Sequence, residues 1–257
     1  MIRIATWNVN SLRARLPRVL AWLEATKTEV VCLQETKLAD GAFDPSPFEA
    51  MGYQVAHHGD GQWNGVAIVS SVGLVDPIAG FGRKDLEAGC RILTANCGGI
   101  RVSSVYAPNG RSLDDPQYAI KLQWFEQLAT WLRECGLPEQ PHVICGDFNI
   151  APSDVDVYDV QALEGMTHVS ERERAALEQL LSLGYSDSFR ALNPEQQGFS
   201  WWDYRGGAFH QNHGMRIDLL LTSRLLSARV TEATVDRAAR KGEKPSDHAP
   251  VTITVID

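Results

Sequence analysis

The stretch Val143-Ile144-Cys145-Gly146-Asp147-Phe148-Asn149 places an acid and an amide two residues apart at the end of an apolar run. The run reads as a short buried strand that stops where chemistry can begin. Side chains alternate along an extended chain, so Asp147 and Asn149 should point one way and Phe148 the other. Gly146 leaves room for a close backbone approach. An acid beside an amide can take a proton and hold an oxyanion. The same residue types also favour a plain strand-to-turn corner.

Polar residues recur at or just after other apolar runs: Asn8, Glu35, Tyr106, Asp218 and the pair Asp247-His248. One such case means little. A set spread over the whole chain predicts a shared edge where strands deliver side chains to one cleft. The acids suit Mg²⁺, which prefers hard oxygen ligands. A His next to an acid has its tautomer fixed and its pKa raised. The amides and the phenol can donate to phosphate oxygens.

The elements that must position this set can be read in outline. Residues 2–7 form a strand, followed by a helix carrying Leu16, Val19, Leu20 and Leu23 at helical spacing, with Pro17 expected in its first turn. A second strand spans 29–35. Residues 39–63 read as loop, and 65–71 as a strand. Gly98-Gly99 joins strands 91–97 and 100–107 as a hairpin. A helix covers 117–134, and 150–169 is a long irregular connection. Ser170-Glu171-Arg172-Glu173 is a capping box that opens a helix stopping at Gly184. Residues 193–214 are an aromatic and glycine-rich loop, 217–222 a strand, 237–244 a basic loop, and 251–255 an alternating strand. With neither a linker nor a fixed-period repeat, one domain over 1–257 is expected. Hairpins make a purely parallel sheet a poor fit; two packed sheets with helices outside fit better.

Composition sets outer bounds. The chain has 257 residues and a formal net charge of −8, which taken alone argues against a nucleic-acid partner. Acids gathered in a metal site beside a local basic surface would reconcile the two. No apolar run is long enough to span a membrane. The start resembles no signal peptide, so a cytoplasmic location is expected. Cys32, Cys90, Cys97, Cys135 and Cys145 show no metal-ligand spacing and read as reduced thiols.

Six motifs together resemble the exonuclease III family of DNA-repair nucleases, within the endonuclease/exonuclease/phosphatase superfamily. They are Trp7-Asn8-Val9-Asn10-Ser11-Leu12-Arg13, Leu33-Gln34-Glu35-Thr36-Lys37, Val105-Tyr106-Ala107-Pro108-Asn109-Gly110, Gly146-Asp147-Phe148-Asn149, Arg216-Ile217-Asp218 and Ser246-Asp247-His248. They stand in family order over essentially the whole chain. The resemblance implies an α/β fold, a four-layered sandwich of two packed mixed β-sheets flanked by helices. It implies Mg²⁺, with Mn²⁺ as an alternative, and a metal-binding set of Glu35, Asn8, Asn10, Asp147, Asn149, Asp247 and His248, with Glu35 the principal ligand. Some relatives carry an acid where this chain has Asn10, which speaks against a two-metal arrangement. The implied catalytic set is Tyr106, Asp147, Asn149, Asp218 and His248. Asp147 would activate the attacking water, Asn149 would hold a phosphate oxygen, His248 paired with Asp218 would contact the scissile phosphate, and Tyr106 would stabilise the developing charge or leaving oxygen. Substrate contacts would come from Asn109, Arg111, His168, Trp201, Met215, Arg240, Lys241 and Lys244. The implied partner is double-stranded DNA with abasic sites, nicks or blocked 3′ ends, bound by a monomer with no membrane association.

Plainer readings stand beside these. Trp202 reads as core. Asp218 could be a buried acid satisfied by backbone donors, and the basic loop a solvated surface. The same fold also serves other phosphate esters, such as RNA, inositol phosphates or sphingolipids. A catalytically silent DNA-binding module is the alternative from another class. The intact acid and histidine set counts against the silent module, and the Ser200–Gly206 loop against the other esters.

Overall fold

The structure is a computed structural model that describes residues 1–83, 86 and 89–257. The first third of the chain runs β1 (Ile2–Asn8), α1 (Leu12–Thr26), β2 (Val30–Gln34), α2 (Ser46–Glu49), β3 (Gln54–His58), β4 (Val66–Ser70) and β5 (Val75–Ala79). Next come β6 (Ile92–Cys97), β7 (Ile100–Tyr106), α3 (Pro116–Glu134), β8 (His142–Asp147) and α4 (Glu171–Ser182). The remainder is β9 (Tyr185–Asp187), α5 (Ser188–Leu192), α6 (Ala208–Gln211), β10 (Asp218–Ser223), α7 (Arg224–Ser227), β11 (Val230–Val235) and β12 (Val251–Val255).

The strands form two six-stranded mixed sheets, ordered β11-β12-β1-β2-β4-β3 and β5-β6-β7-β8-β10-β9. Each has one parallel pair, β1–β2 and β7–β8. Alternation sends neighbouring residues to opposite layers. Cys32 and Cys145 face the other sheet, in a core with Ile4, Ile68, Val102 and Val143. Leu33 faces outward onto Val19, Leu23 and Phe48. Ile144 faces outward into a cluster with Phe125 and Leu128 of α3 and Leu180 of α4. Each fully buried aliphatic side chain contributes about 1.5–3 kcal/mol relative to exposure. The result is helix, sheet, sheet, helix, the four layers expected.

Three expectations need correction. Residues 39–63 and 193–214 are not all loop, because α2 and β3 lie within the first stretch and α6 within the second. The four strands not foreseen are β3, β5, β9 and β11, which are the four sheet edges. Edge strands pair on one side only, and β5 is exposed throughout and carries Pro77. Third, α1 begins at Leu12, so Pro17 lies in its second turn. The early start follows from Ser11 and Leu12 donating their N–H groups to the carbonyls of Glu35 and Thr36, at 2.7 and 3.0 Å. Among the described residues, no helix is long and apolar enough to cross a membrane.

Candidate active site

Topology brings the polar residues to one edge. Because β1 and β2 are parallel, Asn8 and Gln34 end them side by side, and Glu35 follows. Tyr106 and Asp147 pair at the ends of β7 and β8 in the same way. Antiparallel β10 starts there, with Asp218 opposite Asp147. A bridge between Trp201 and His248 places His248 just before β12. Gly146 is required for this closeness, since a Cβ there would lie 1.8 Å from the Val105 carbonyl oxygen. Phe148 turns into the outer core with Ile150 and Phe125.

Short contacts link the set. The Asn8 amide donates to Glu35 Oε1 and to Asp147 Oδ2, both at 2.9 Å, while its oxygen accepts the Asn10 N–H at 3.0 Å. Asp147 Oδ1 accepts the Asn149 N–H at 2.9 Å. His248 Nδ1 donates to Asp218 Oδ2 at 2.8 Å, and its Nε2 lies 3.7 Å from Asp147 Oδ2. A carboxylate only accepts, so the Nδ1 proton is fixed. Asp218 is fully buried, and the neighbouring N–H groups of Ile217 and Asp218 go to Ser200 Oγ. Its partner is therefore the histidine, not the backbone.

The electrostatics follow from burial and charge crowding. Burial, with Asp218 and Glu35 nearby, raises Asp147 to about 7, despite the opposing pull of His248 and Asn8. Burial alone would lower His248, but Asp218 and Asp147 outweigh it and lift the imidazole to about 10. Burial and then the charges of Glu35 and Asp147 push Tyr106 well above the usual phenol range. Burial would raise Asp247, yet His248, Asn10 and Trp201 hold it below the ordinary carboxylate value. Near neutrality the site thus contains a carboxyl at its titration point beside an imidazolium.

The donor set fits a hard cation. The Lys37 ammonium sits 2.9 Å from Glu35 Oε2 and 2.6 Å from Asn10 Oδ1, so a positive charge already occupies the oxygen-lined corner. Asp247 adjoins it through Asn10, at 3.0 Å. Asp147, Asp218 and His248 also bring potential ligand atoms within 4.8 Å of one another. However, the His248–Asp218 hydrogen bond already uses one ring nitrogen, so the Glu35 corner is the better cation seat.

Several supporting residues were not foreseen. Lys121 and Glu173 are both fully buried and paired, and Lys121 Nζ also donates to the carbonyls of Asn109 and Asn149 at 3.2 and 2.7 Å. The available signal was a lysine in the apolar stripe of a helix, between Tyr118 and Phe125. Thr36, His57 and Asp40 form a chain, with Thr36 Oγ1 to His57 Nε2 at 2.8 Å and His57 Nδ1 to Asp40 Oδ1 at 2.9 Å. Arg91 lies 4.8 Å from the Tyr106 ring centroid. Left-handed backbone at Asn10, Glu35, Lys37 and Asn149 shows that the site is held under local strain.

The expected substrate contacts divide. Asn109 donates to Asn149 Oδ1 at 3.2 Å, and the His168 Nδ1–H donates to the Asn149 carbonyl at 2.6 Å. Burial and the nearby Lys121 lower the His168 pKa, so its ring is neutral. The Trp201 indole donates to Asp247 Oδ2 at 3.2 Å. Arg111, Lys241 and Lys244 are exposed, whereas Arg240 is buried. Met215 is also buried, in bridges with Val157 and Trp201, which runs against the expectation that it reaches substrate. Trp202 is core, as read. A cavity of about 660 Å³ between Leu113 and Arg174 includes none of the strand-end residues.

Residues 5–248 match the sequence pattern of the Endonuclease/Exonuclease/phosphatase family. The chain belongs to this family. The match contains every strand-end residue of the site. Curated relatives include an exodeoxyribonuclease of Bacillus subtilis, 32% identical over 99% of both chains. Another is exodeoxyribonuclease III of Haemophilus influenzae, 34% identical over 97% of this chain and 98% of its own. An AP endonuclease from Archaeoglobus fulgidus superposes with a TM-score of 0.96 at 35% identity over all of both chains. A 3′-5′ exonuclease from Neisseria meningitidis does so at 0.95 with 39% identity over 99% of each. Within the endonuclease/exonuclease/phosphatase family, the chain is a nuclease of the exonuclease III type.

Proposed function

We infer that the chain is a Mg²⁺-assisted DNA-repair phosphodiesterase acting on double-stranded DNA at abasic sites, at blocked 3′ ends and as a 3′–5′ exonuclease. The observation that carries this reading is the pairing of Asp147, poised near neutrality, with an imidazolium at His248 and the Asn149 amide beside it. Asp147 takes a proton from the water that attacks phosphorus. A base with a pKa near the working pH is the efficient choice. His248, charged and oriented by Asp218, and the Asn149 amide donate to phosphate oxygens as negative charge builds. Tyr106, kept protonated by burial, donates toward the leaving oxygen as its bond to phosphorus breaks. With both ring nitrogens protonated, His248 serves the phosphate rather than a metal. Asn8 spends its oxygen on the Asn10 N–H and, by donating from its NH₂ to both carboxylates, spaces Glu35 from Asp147. Glu35, Asn10 and Asp247 would hold Mg²⁺, or Mn²⁺ in its place. When bound, that cation neutralises phosphate charge as a Lewis acid.

The reading includes one domain over 1–257, working as a cytoplasmic monomer. Trp201 and Asn109 flank the reacting group, and Arg111, Lys241 and Lys244 contact the backbone of the duplex. The experiment is incubation of a duplex carrying one abasic site, with and without Mg²⁺. Asp147→Asn and Glu35→Ala should fold and bind the duplex yet lose cleavage by several orders of magnitude. A Glu35→Ala enzyme with normal rate and normal Mg²⁺ dependence would remove Glu35 from the site. Cleavage of RNA but not DNA by the wild type would sink the substrate assignment.

A further inference from the structure

Four arginines converge on the loops beside the site without meeting, among the described residues, a carboxylate at hydrogen-bond distance. Arg15 donates to the Asn10 and Pro245 carbonyls and to the Tyr204 hydroxyl. Arg18 donates to the carbonyls of Glu243, Ala239 and Lys241. Arg237 donates to the Phe209 carbonyl and stacks 4.4 Å from that ring's centroid. Arg240 donates to the Trp202 carbonyl and lies 4.9 and 5.1 Å from the centroids of Tyr204 and Phe209. Carbonyls and rings orient these guanidinium groups without cancelling their charge.

Arg240 stands out among them. It alone of the four is buried, 6% exposed, and its Nε, like those of Arg15 and Arg18, has no hydrogen-bond partner among the described residues. A buried cation whose nearest acid, here Asp247, acts only at a distance is costly unless an anion completes it. Arg240 lines a cavity of about 270 Å³ together with Lys241, His210, Tyr204, Pro245 and one acid, Asp203. That size suits a small anion and its waters, lying below the usual range of about 300–1,000 Å³ for small-molecule sites. The acids nearby are engaged elsewhere. Asp203 accepts from Arg205 at 2.8 and 3.2 Å, and Asp247 accepts from Asn10 and Trp201. In a chain of net charge −8, this is a local reversal of sign.

We propose that this cavity seats one phosphate group of the DNA substrate, apart from the phosphate that is cut, with Arg240, Lys241 and His210 as its donors. The proposal rests on the reading of the chain as a DNA nuclease. Planar guanidinium groups match phosphate oxygens in pairs, and the aromatic stack fixes Arg240 before the substrate arrives. Arg15 ties this seat to the metal corner through the Asn10 carbonyl. A phosphate held here fixes the distance between one backbone position and the reacting one.

The test moves a single uncharged methylphosphonate along both strands of an abasic duplex, one position at a time. For the wild type, one position away from the scissile phosphate should raise KM about tenfold, the scale of one charge-assisted contact, with kcat little changed. In Lys241→Gln and Arg240→Gln, the same replacement should change KM less than twofold, because the contact is already lost. Lys241 is at the exposed rim, so its variant stays informative if Arg240→Gln unfolds. Equal sensitivity of the wild type and Lys241→Gln at every position would overturn the seat while leaving the nuclease reading intact. Calorimetric titration with inorganic phosphate separates the sources. Free phosphate binding that Lys241→Gln abolishes, with no sensitive DNA position, would make this a free-anion site and reject the DNA assignment. A wild type that cuts no duplex at all would instead sink the nuclease reading.

Discussion

At the scale of single residues, chemistry and stability pull against each other at Asp147. Its pKa of about 7 in the fold, against an ordinary 3.8, means the folded state holds that proton more tightly than the unfolded chain. A raised folded pKa gives stability that is complete below the unfolded value and is lost as pH rises through the folded one. Metal-free protein should therefore lose stability at this residue between about pH 4 and 7. Asp147→Asn should remove that loss and raise Tm at pH 8 by several degrees while abolishing cleavage. Thermal melts with a chelator present check this, and a lower Tm for Asp147→Asn would contradict it. As the proposed general base, the same carboxyl should set the rate profile, with cleavage falling as pH drops below about 7. His168 poses a question of specificity. Its ring lies against the Asn149 carbonyl at 2.6 Å, beside the amide that the proposed function sets on a phosphate oxygen. A bulky ring there should favour a nick with a 3′ phosphate over a continuous strand with an internal abasic site. His168→Gly, assayed on both duplexes, should shift the ratio of kcat/KM toward the abasic substrate. A shift of less than about threefold would mean that the ring is a bystander.

At the scale of elements, α3 and α4 hold the site loops through a single buried ion pair. Lys121 and Glu173 are both 0% exposed, and together they bind Asn109, Asn149, Thr167 and His168 through main-chain or hydroxyl groups. Removing one partner leaves the other charge buried and alone, at a cost of about 3–5 kcal/mol. Lys121→Met should therefore unfold in markedly less urea. The double variant Lys121→Met/Glu173→Leu should recover much of that stability, because apolar packing replaces the pair. Its kcat should stay low, since the Asn149 carbonyl then loses the Lys121 ammonium and keeps only its bond from His168. Recovery of kcat together with stability would show that the pair is only structural. This pair also shows what the sequence conceals. Strand-end acids and amides were legible because they interrupt apolar runs, and the capping box because its side chains bond their own helix. Lys121 was not, because its partner lies 52 residues away across two helices. Edge strands were missed for the converse reason. With one face and one edge in water, β3, β5, β9 and β11 need no alternating apolar pattern. Burial of Arg240 and Met215 was hidden too, since each depends on loops from distant segments packing over it.

At the scale of the whole molecule, charge and titration are separated in space. The chain is acidic overall, with arginines and lysines gathered on the loops beside Asp247 and acids within the site. Neutralising Lys241 and Lys244 should flatten the salt dependence of duplex binding by about one unit of slope per lost contact. An unchanged slope would return these residues to plain solvated surface. The opposite end of the second sheet carries a different device. His142 opens β8, whereas Asp147 closes it, which places them roughly 17 Å apart along the strand. His142 is completely buried and joins three strands, bonding Ser103 of β7 through Nε2 at 2.9 Å and Tyr185 of β9 through Nδ1 at 2.5 Å. Burial, and then Arg101, press its pKa down to about 3. A depressed folded pKa gives stability that is complete above the unfolded value, about 6.5, and is lost as pH falls toward the folded one. Acid should thus unfold the protein from the end remote from the chemistry, with His142 contributing about 3 kcal/mol of the loss by pH 4. Urea denaturation from pH 8 to pH 4 checks this against His142→Gln, whose amide does not titrate. The variant should be the less stable at pH 8 and should close the gap as pH falls. Two profiles that run parallel throughout would show that His142 is not the residue through which acid acts.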